Sequence, residues 1–122
     1  MFRFIRREVE YMPRKIDLII QQFLDEITKL LGSRMKKAIL FGSYARGDYN
    51  ENSDLDIMIL TDFSDEELIE YRTKVRDIAC DIELDNDIMI SPILRNIDKY
   101  QERVEVIPFY MNVNKEGVVL RG

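Results

Sequence analysis

Between Asp54 and Leu60 the sequence alternates with a period of two: Leu55, Ile57 and Ile59 fall on one face, and Asp54, Asp56 and Met58 on the other. Only an extended strand sorts residues in this way, because its successive side chains leave opposite faces. The pattern predicts a β-strand over 54–60. It also places two carboxylates on one face, their backbone anchors about 6 to 7 Å apart.

A second apolar run, Ala38-Ile39-Leu40-Phe41, lies between Lys36-Lys37 and Gly42 and predicts a short strand covered on both faces. From Gly42 to Ser53 the chain is polar and reads as a loop with one helical turn at Ser43 to Arg46. Upstream, Ile16, Ile20, Phe23, Ile27 and Leu30 recur at helical spacing and predict an amphipathic helix to Leu31, stopped by Gly32. Downstream, Ser64 and Glu67 have the spacing of a capping box, opening a helix with the stripe Leu68, Tyr71, Val75, Ile78 and Ile82. Ala79 and Cys80 read as small packing residues near its end, Cys80 as core rather than reactive.

Asp87-Ile88-Met89-Ile90 is the third strand expected, ended by Ser91-Pro92 because proline cannot donate to a ladder. A last helical region is expected between Asn96 and Lys115, interrupted near Pro108. Gly117 then releases the chain into Val118-Val119-Leu120, a short edge strand or a partner contact.

At 122 residues the chain fits one small domain, read as 14–122 after an N-terminal extension over 1–13. There is no histidine, which removes histidine-ligated zinc and Ser-His-Asp chemistry and leaves carboxylates to do the work. Cys80 is the only cysteine, so no intramolecular disulfide forms and a reducing cytoplasm is the expected setting. Met1 to Lys15 has the pattern of neither a signal peptide nor a membrane span, so a soluble chain with no membrane partner is expected. The net charge of −5 argues against general nucleic-acid binding, although Arg3, Arg6, Arg7, Arg14 and Lys15 form one basic group near the start.

Two segments carry the chemistry. A glycine at the end of a buried strand lets backbone approach a bulky anion, and the amides opening the turn at Ser43 can donate to phosphate. Asp54 and Asp56 offer paired hard oxygen ligands suited to Mg²⁺, which takes its remaining ligands from water and substrate phosphates. Either piece alone reads as a plain turn or a half-exposed strand. Arising together at this spacing, they would need several coincidences to be mere packing.

Gly42-Ser43-Tyr44-Ala45-Arg46-Gly47 followed by Ser53-Asp54-Leu55-Asp56 resembles the signature of the minimal nucleotidyltransferases of the DNA polymerase β superfamily. Ile90-Ser91-Pro92-Ile93 and the stretch from Pro108 to Gly117 also look like that family. The resemblance implies an α/β (α+β) fold, a small mixed sheet flanked by helices. It implies triphosphate held at Gly42 and Ser43, with two Mg²⁺ ions held by Asp54 and Asp56. It further implies a third catalytic carboxylate on the neighbouring strand, a further metal ligand and base near the acceptor oxygen, for which Asp87 is preferred and Glu83 and Asp85 compete. Arg46 either reaches a phosphate or pairs at the surface with Asp48 or Glu51; Ser53 reads as a turn former.

The implied reaction moves a nucleoside monophosphate, AMP from ATP first among the possibilities, onto a hydroxyl. Chains of this size and pattern resemble the antitoxin half of HEPN/MNT pairs, in which the acceptor is implied to be a tyrosine of the HEPN partner in a homo- or hetero-oligomer. The rival readings are an antitoxin that neutralises by binding alone, transfer to a small molecule, and polymerase or RNA-tailing activity.

Overall fold

The computed structural model describes residues 13–122. The basic group at Arg3, Arg6 and Arg7 lies outside the described residues, while Arg14 and Lys15 open the first helix. That helix, α1 (Arg14–Leu31), turns Ile16, Ile20, Phe23, Leu24 and Ile27 inward on one stripe. It ends at Gly32, whose positive φ of 56° lets its amide return to the Thr28 carbonyl.

After a 3₁₀ turn at Gly32–Arg34 come β1 (Met35–Phe41), the short helix α2 (Ser43–Arg46), β2 (Leu55–Thr61) and α3 (Asp65–Asn86). They are followed by β3 (Ile90–Asn96), α4 (Ile97–Arg103), α5 (Pro108–Glu116) and β4 (Val118–Arg121). The sheet order is β3-β2-β1-β4. β1 pairs antiparallel with both β2 and β4, and β2 pairs parallel with β3, α3 making the crossover that a parallel pair needs. This is the mixed sheet flanked by helices that the resemblance implies.

Alternation along the strands divides the interior into two layers. Ala38, Leu40, Leu55, Ile57, Ile59, Ile90 and Leu94 pack with α1 and α3. Ile39, Phe41, Met58 and Leu60 pack with Tyr100 of α4 and with Tyr110 and Val113 of α5. Both central strands are therefore covered on both faces, as expected for β1. At about 25 cal/mol per Å² of apolar surface removed from water, each fully enclosed aliphatic side chain contributes roughly 1.5 to 3 kcal/mol. Ile57 and Ile59, wholly buried at the sheet centre, belong to this class.

The capping box forms as read: Ser64 Oγ accepts from the Glu67 amide at 3.2 Å, and the Glu67 carboxylate accepts from the Ser64 amide at 3.0 Å. Arg34 joins this corner, donating to Glu67 at 3.0 Å and to Asp62, with its guanidinium 4.6 Å from the centre of the Phe63 ring. Val118 to Arg121 is an edge strand on β1, the first of the two readings of that segment.

The third strand differs from expectation. Helix α3 continues through Asn86, and Asp87 closes it in the left-handed conformation (φ 53°, ψ 44°), its amide bonded to the Glu83 carbonyl. Asp87 is thus a helix cap, not a strand residue sharing a face with Met89. The strand begins at Ile90 and runs through Ser91-Pro92 instead of ending there. Proline is tolerated because β3 is an edge strand, bonded only to β2, so one of its sides needs no amide donors. Cys80 is half-buried rather than a core thiol. Among the described residues, no helix is long and apolar enough to cross a membrane.

Candidate active site

The site forms at the sheet end where β1 stops and β2 and β3 begin. Register places Phe41 opposite Asp56, and Asp56 opposite Ser91, so Gly42, the paired aspartates and Ser91 line up across three strands.

Gly42 makes the tightest approach. Its φ of 76° is a left-handed value that glycine adopts without penalty, and a Cβ there would overlap the Asp56 carboxylate. The strand end and the carboxylate are in van der Waals contact. Gly42 also caps α2, accepting from the Ala45 and Arg46 amides at 3.1 and 3.0 Å, so the Ser43 and Tyr44 amides precede the first internal bond of the turn. Tyr44 and Ala45 are buried beneath them and hold the turn in place.

Asp56 is half-buried beside Asp54. Burial first, and the neighbouring Asp54 charge second, push its carboxyl above the ordinary value, while the charge of Arg46 opposes them. A like-charged, partly desolvated carboxylate pair is electrostatically incomplete. A cation placed between the oxygens would remove both penalties, and hard oxygen donors suit Mg²⁺. The pair's donor chemistry therefore fits a divalent metal, which Asp54 and Asp56 would hold.

Asp54 is positioned from two sides. The preceding turn is closed by the Asn50 amide on Ser53 Oγ (2.9 Å) and the Asn52 amide on Asn50 Oδ1 (2.7 Å), which makes Ser53 the turn former expected. On the other side Ser91 Oγ donates to Asp54 Oδ2 at 3.1 Å. Ser91 was missed as a site residue because Ser91-Pro92 reads as a strand terminator. The available signal was the alternation of Ile90, Pro92 and Leu94 against Ser91, Ile93 and Arg95, which turns Ser91 toward the aspartate face.

The start of β3 is itself clamped. The Ile90 amide donates to Glu83 Oε2 at 2.6 Å, its carbonyl accepts from Arg76 Nη2 at 2.8 Å, and Arg76 and Glu83 lie 3.8 Å apart. Glu83 therefore holds the residue next to Ser91. Asp85 is exposed on α3, and Asp87 is exposed at its end. Among the described residues no group of three or more acidic or thiol side chains is placed to hold a metal ion. Asp87 and Asp54 border the same cleft, of about 800 Å³, between the 51–54 loop and the last turns of α3.

Arg46 pairs with Asp48 (3.3 Å) and with Glu116 at the end of α5 (3.0 Å), not with Glu51. The hydrogen bond it donates to Asp48 is the largest cause holding its guanidinium more firmly protonated than usual.

The "Nucleotidyltransferase domain" family matches residues 20–110, a span holding α1 from Ile20 onward, the paired aspartates with Gly42 and Ser91, and the start of α5. "Putative protein adenylyltransferase MJ0604" of Methanocaldococcus jannaschii is 36% identical over 101 residues, covering 83% of this chain and 93% of that protein. "Putative protein adenylyltransferase MJ0141" of the same organism is 42% identical over 76 residues, 62% of this chain and 75% of that one. In fold, the chain resembles a "toxin-antitoxin with AMP-PNP" (TM-score 0.50, 18% identity, 82% and 71% of the two chains). It also resembles a "putative nucleotidyltransferase from Sulfolobus solfataricus" (TM-score 0.50, 21% identity, 88% and 86%). A match over most of its length, and a relative this similar across nearly the full extent of both chains, mean that this chain belongs to the nucleotidyltransferase domain family.

Proposed function

We propose that this chain transfers AMP from ATP onto a hydroxyl of a protein, that the acceptor is a tyrosine of a HEPN-family toxin, and that the chain thereby acts as the antitoxin. The observation that carries the reading is the contact of Gly42 with Asp56 beside Asp54, which puts an anion-accepting strand end against a cation-demanding carboxylate pair. Membership of the family supplies nucleotidyl transfer. The names of the Methanocaldococcus relatives support a protein acceptor, and the fold likeness to a toxin-antitoxin pair supports a toxin partner. A reducing cytoplasm, where a lone thiol persists, is the proposed setting.

In this reading Ser43 and the amides beginning α2 hold the triphosphate over Gly42. Asp54 and Asp56 would hold two Mg²⁺ ions, which when bound would neutralise charge on the phosphates and on the departing pyrophosphate. Arg46, whose charge already acts on Asp56, supplies a cation to the phosphates after exchanging Glu116 for them. The acceptor oxygen forms a bond to the α-phosphorus while its proton passes to solvent in the open cleft, and the bond from the α-phosphorus to the bridging oxygen breaks, releasing pyrophosphate. Ser91 occupies the place on the neighbouring strand where a third carboxylate is implied, and it orients Asp54 by its hydrogen bond. Asp87, across the cleft, lies on the acceptor side.

The test is incubation with Mg²⁺ and α-labelled ATP in lysate of the source cells, beside an Asp54→Asn/Asp56→Asn control. One labelled protein band that only the wild type produces is the outcome expected. Label on a small molecule or on RNA would overturn the protein acceptor, and no label with any nucleotide would overturn the transfer.

A further inference from the structure

We infer that the cleft between the 51–54 loop and the last turns of α3 is where the acceptor docks, and that it takes a polypeptide segment whose hydroxyl side chain is flanked by lysine or arginine. The inference rests on the transfer reading above and adds the chemistry of the acceptor.

Position comes first. In the sheet order, Gly42 and Ser43 lie on the β1 side of the paired aspartates, while the cleft opens on the β3 side with Asp54 in its wall. Phosphates and acceptor would then approach the carboxylate pair from opposite sides, as a displacement at phosphorus requires.

Charge narrows the occupant. Glu51, Asp54, Glu83 and Asp87 border the cleft, and among the described residues no lysine or arginine does. Such a wall repels a triphosphate and attracts a cation. The end of α3 reinforces it, because Asp81, Glu83, Asp85 and Asp87 crowd the negative end of the helix dipole with no basic residue in the last turn. Among the described residues only Glu83 of these four has a cation in ion-pair range. Among the described residues the remaining charge has no cation in ion-pair range, and a basic partner would relieve it.

Apolar surface completes the match. Leu84 is 85% exposed and Met89 is 55% exposed, both at the cleft. The aliphatic stem of a lysine or arginine, or the ring beneath a tyrosine hydroxyl, can cover them while the cation meets the carboxylates.

Fluorescein-labelled Gly-Lys-Arg-Tyr-Arg-Lys-Gly and Gly-Glu-Asp-Tyr-Asp-Glu-Gly, titrated by anisotropy without nucleotide, test this on the full chain. The basic peptide is expected to bind at least about tenfold tighter, an electrostatic preference that weakens with salt. Glu51→Lys/Leu84→Lys should remove that preference, whereas Gln101→Lys/Glu102→Lys, with the same change in net charge on exposed α4, should keep it. Equal binding of the two peptides, or equal loss in both variants, would overturn the docking assignment. The lysate labelling described above reads transfer separately, so labelling that persists in the cleft variant discards the docking site alone. Cleft-dependent peptide binding without any labelling discards the transfer reading instead.

Discussion

Asp56 carries an electrostatic penalty in the absence of a cation. Its carboxyl is raised above the ordinary value by burial and by Asp54, so the folded state holds its proton more readily than the unfolded chain. Its contribution to stability is therefore greatest at acid pH and falls as pH rises through the window above about 4. Asp56→Asn should raise the melting temperature of the metal-free protein at pH 7 and leave no such gain at pH 3, while abolishing transfer. A melting temperature lowered at pH 7 would show that the pair is not repulsive. Ser91→Ala removes only the hydrogen bond to Asp54, and should lower transfer roughly 10- to 100-fold, as loss of a ligand-orienting contact does. Rescue by Ser91→Thr, which keeps the hydroxyl, would distinguish orientation from packing. Gly42, Asp54 and Asp56 were legible in the sequence because period-two alternation and a strand-ending glycine are local signals. The alternation from Ile90 to Arg95 gives the face of Ser91, but its pairing opposite Asp56 depends on register between two distant strands, to which no local pattern points.

The secondary-structure elements show the same division between local and distant causes. Helix α3 announces its start through Ser64 and Glu67, and the observed cap has both reciprocal bonds. Its end carries no glycine, so Asp87, an acid tolerant of the left-handed conformation, was read as the start of a strand. Pro92 misled in the same way, since a proline excludes a central strand but not an edge, and edge position is a property of the sheet. Beyond its ladder with β2, the start of β3 is held by Arg76 and Glu83, which bind both backbone groups of Ile90. Glu83→Ala should cost about 1.5 to 3 kcal/mol in urea denaturation, the range for a hydrogen bond to a charged group. It should also lower transfer by displacing the neighbouring Ser91, and unchanged transfer would separate the clamp from the site. At the opposite corner Arg34 holds the Asp62 and Glu67 carboxyls below their ordinary values, chiefly by hydrogen bonding. That stabilisation is present above the ordinary carboxylate pKa and is lost as pH falls through the depressed values. Arg34→Met should thus lower the urea midpoint at pH 7 more than at pH 2.5; exposure of the network keeps the effect small.

Across the molecule, the three layers place three strand ends in one line and leave the site open on its β3 side. The sheet centre supports that alignment: Ile57→Ala, in a position with no solvent access, should cost about 2 to 5 kcal/mol in denaturation experiments. The mixed sheet was legible mainly through the resemblance, because pairing partners and strand order are not written in the periodicity of any one strand. The measurement that bears hardest on the proposed function compares Asp54→Asn and Asp56→Asn, each alone, with the wild type in Mg²⁺-dependent labelling by α-labelled ATP, folding being checked by circular dichroism. Each variant should remain folded and lose more than the roughly 10- to 100-fold expected for an outer contact. Label retained at wild-type level by both folded variants would mean that the carboxylate pair does not carry the reaction.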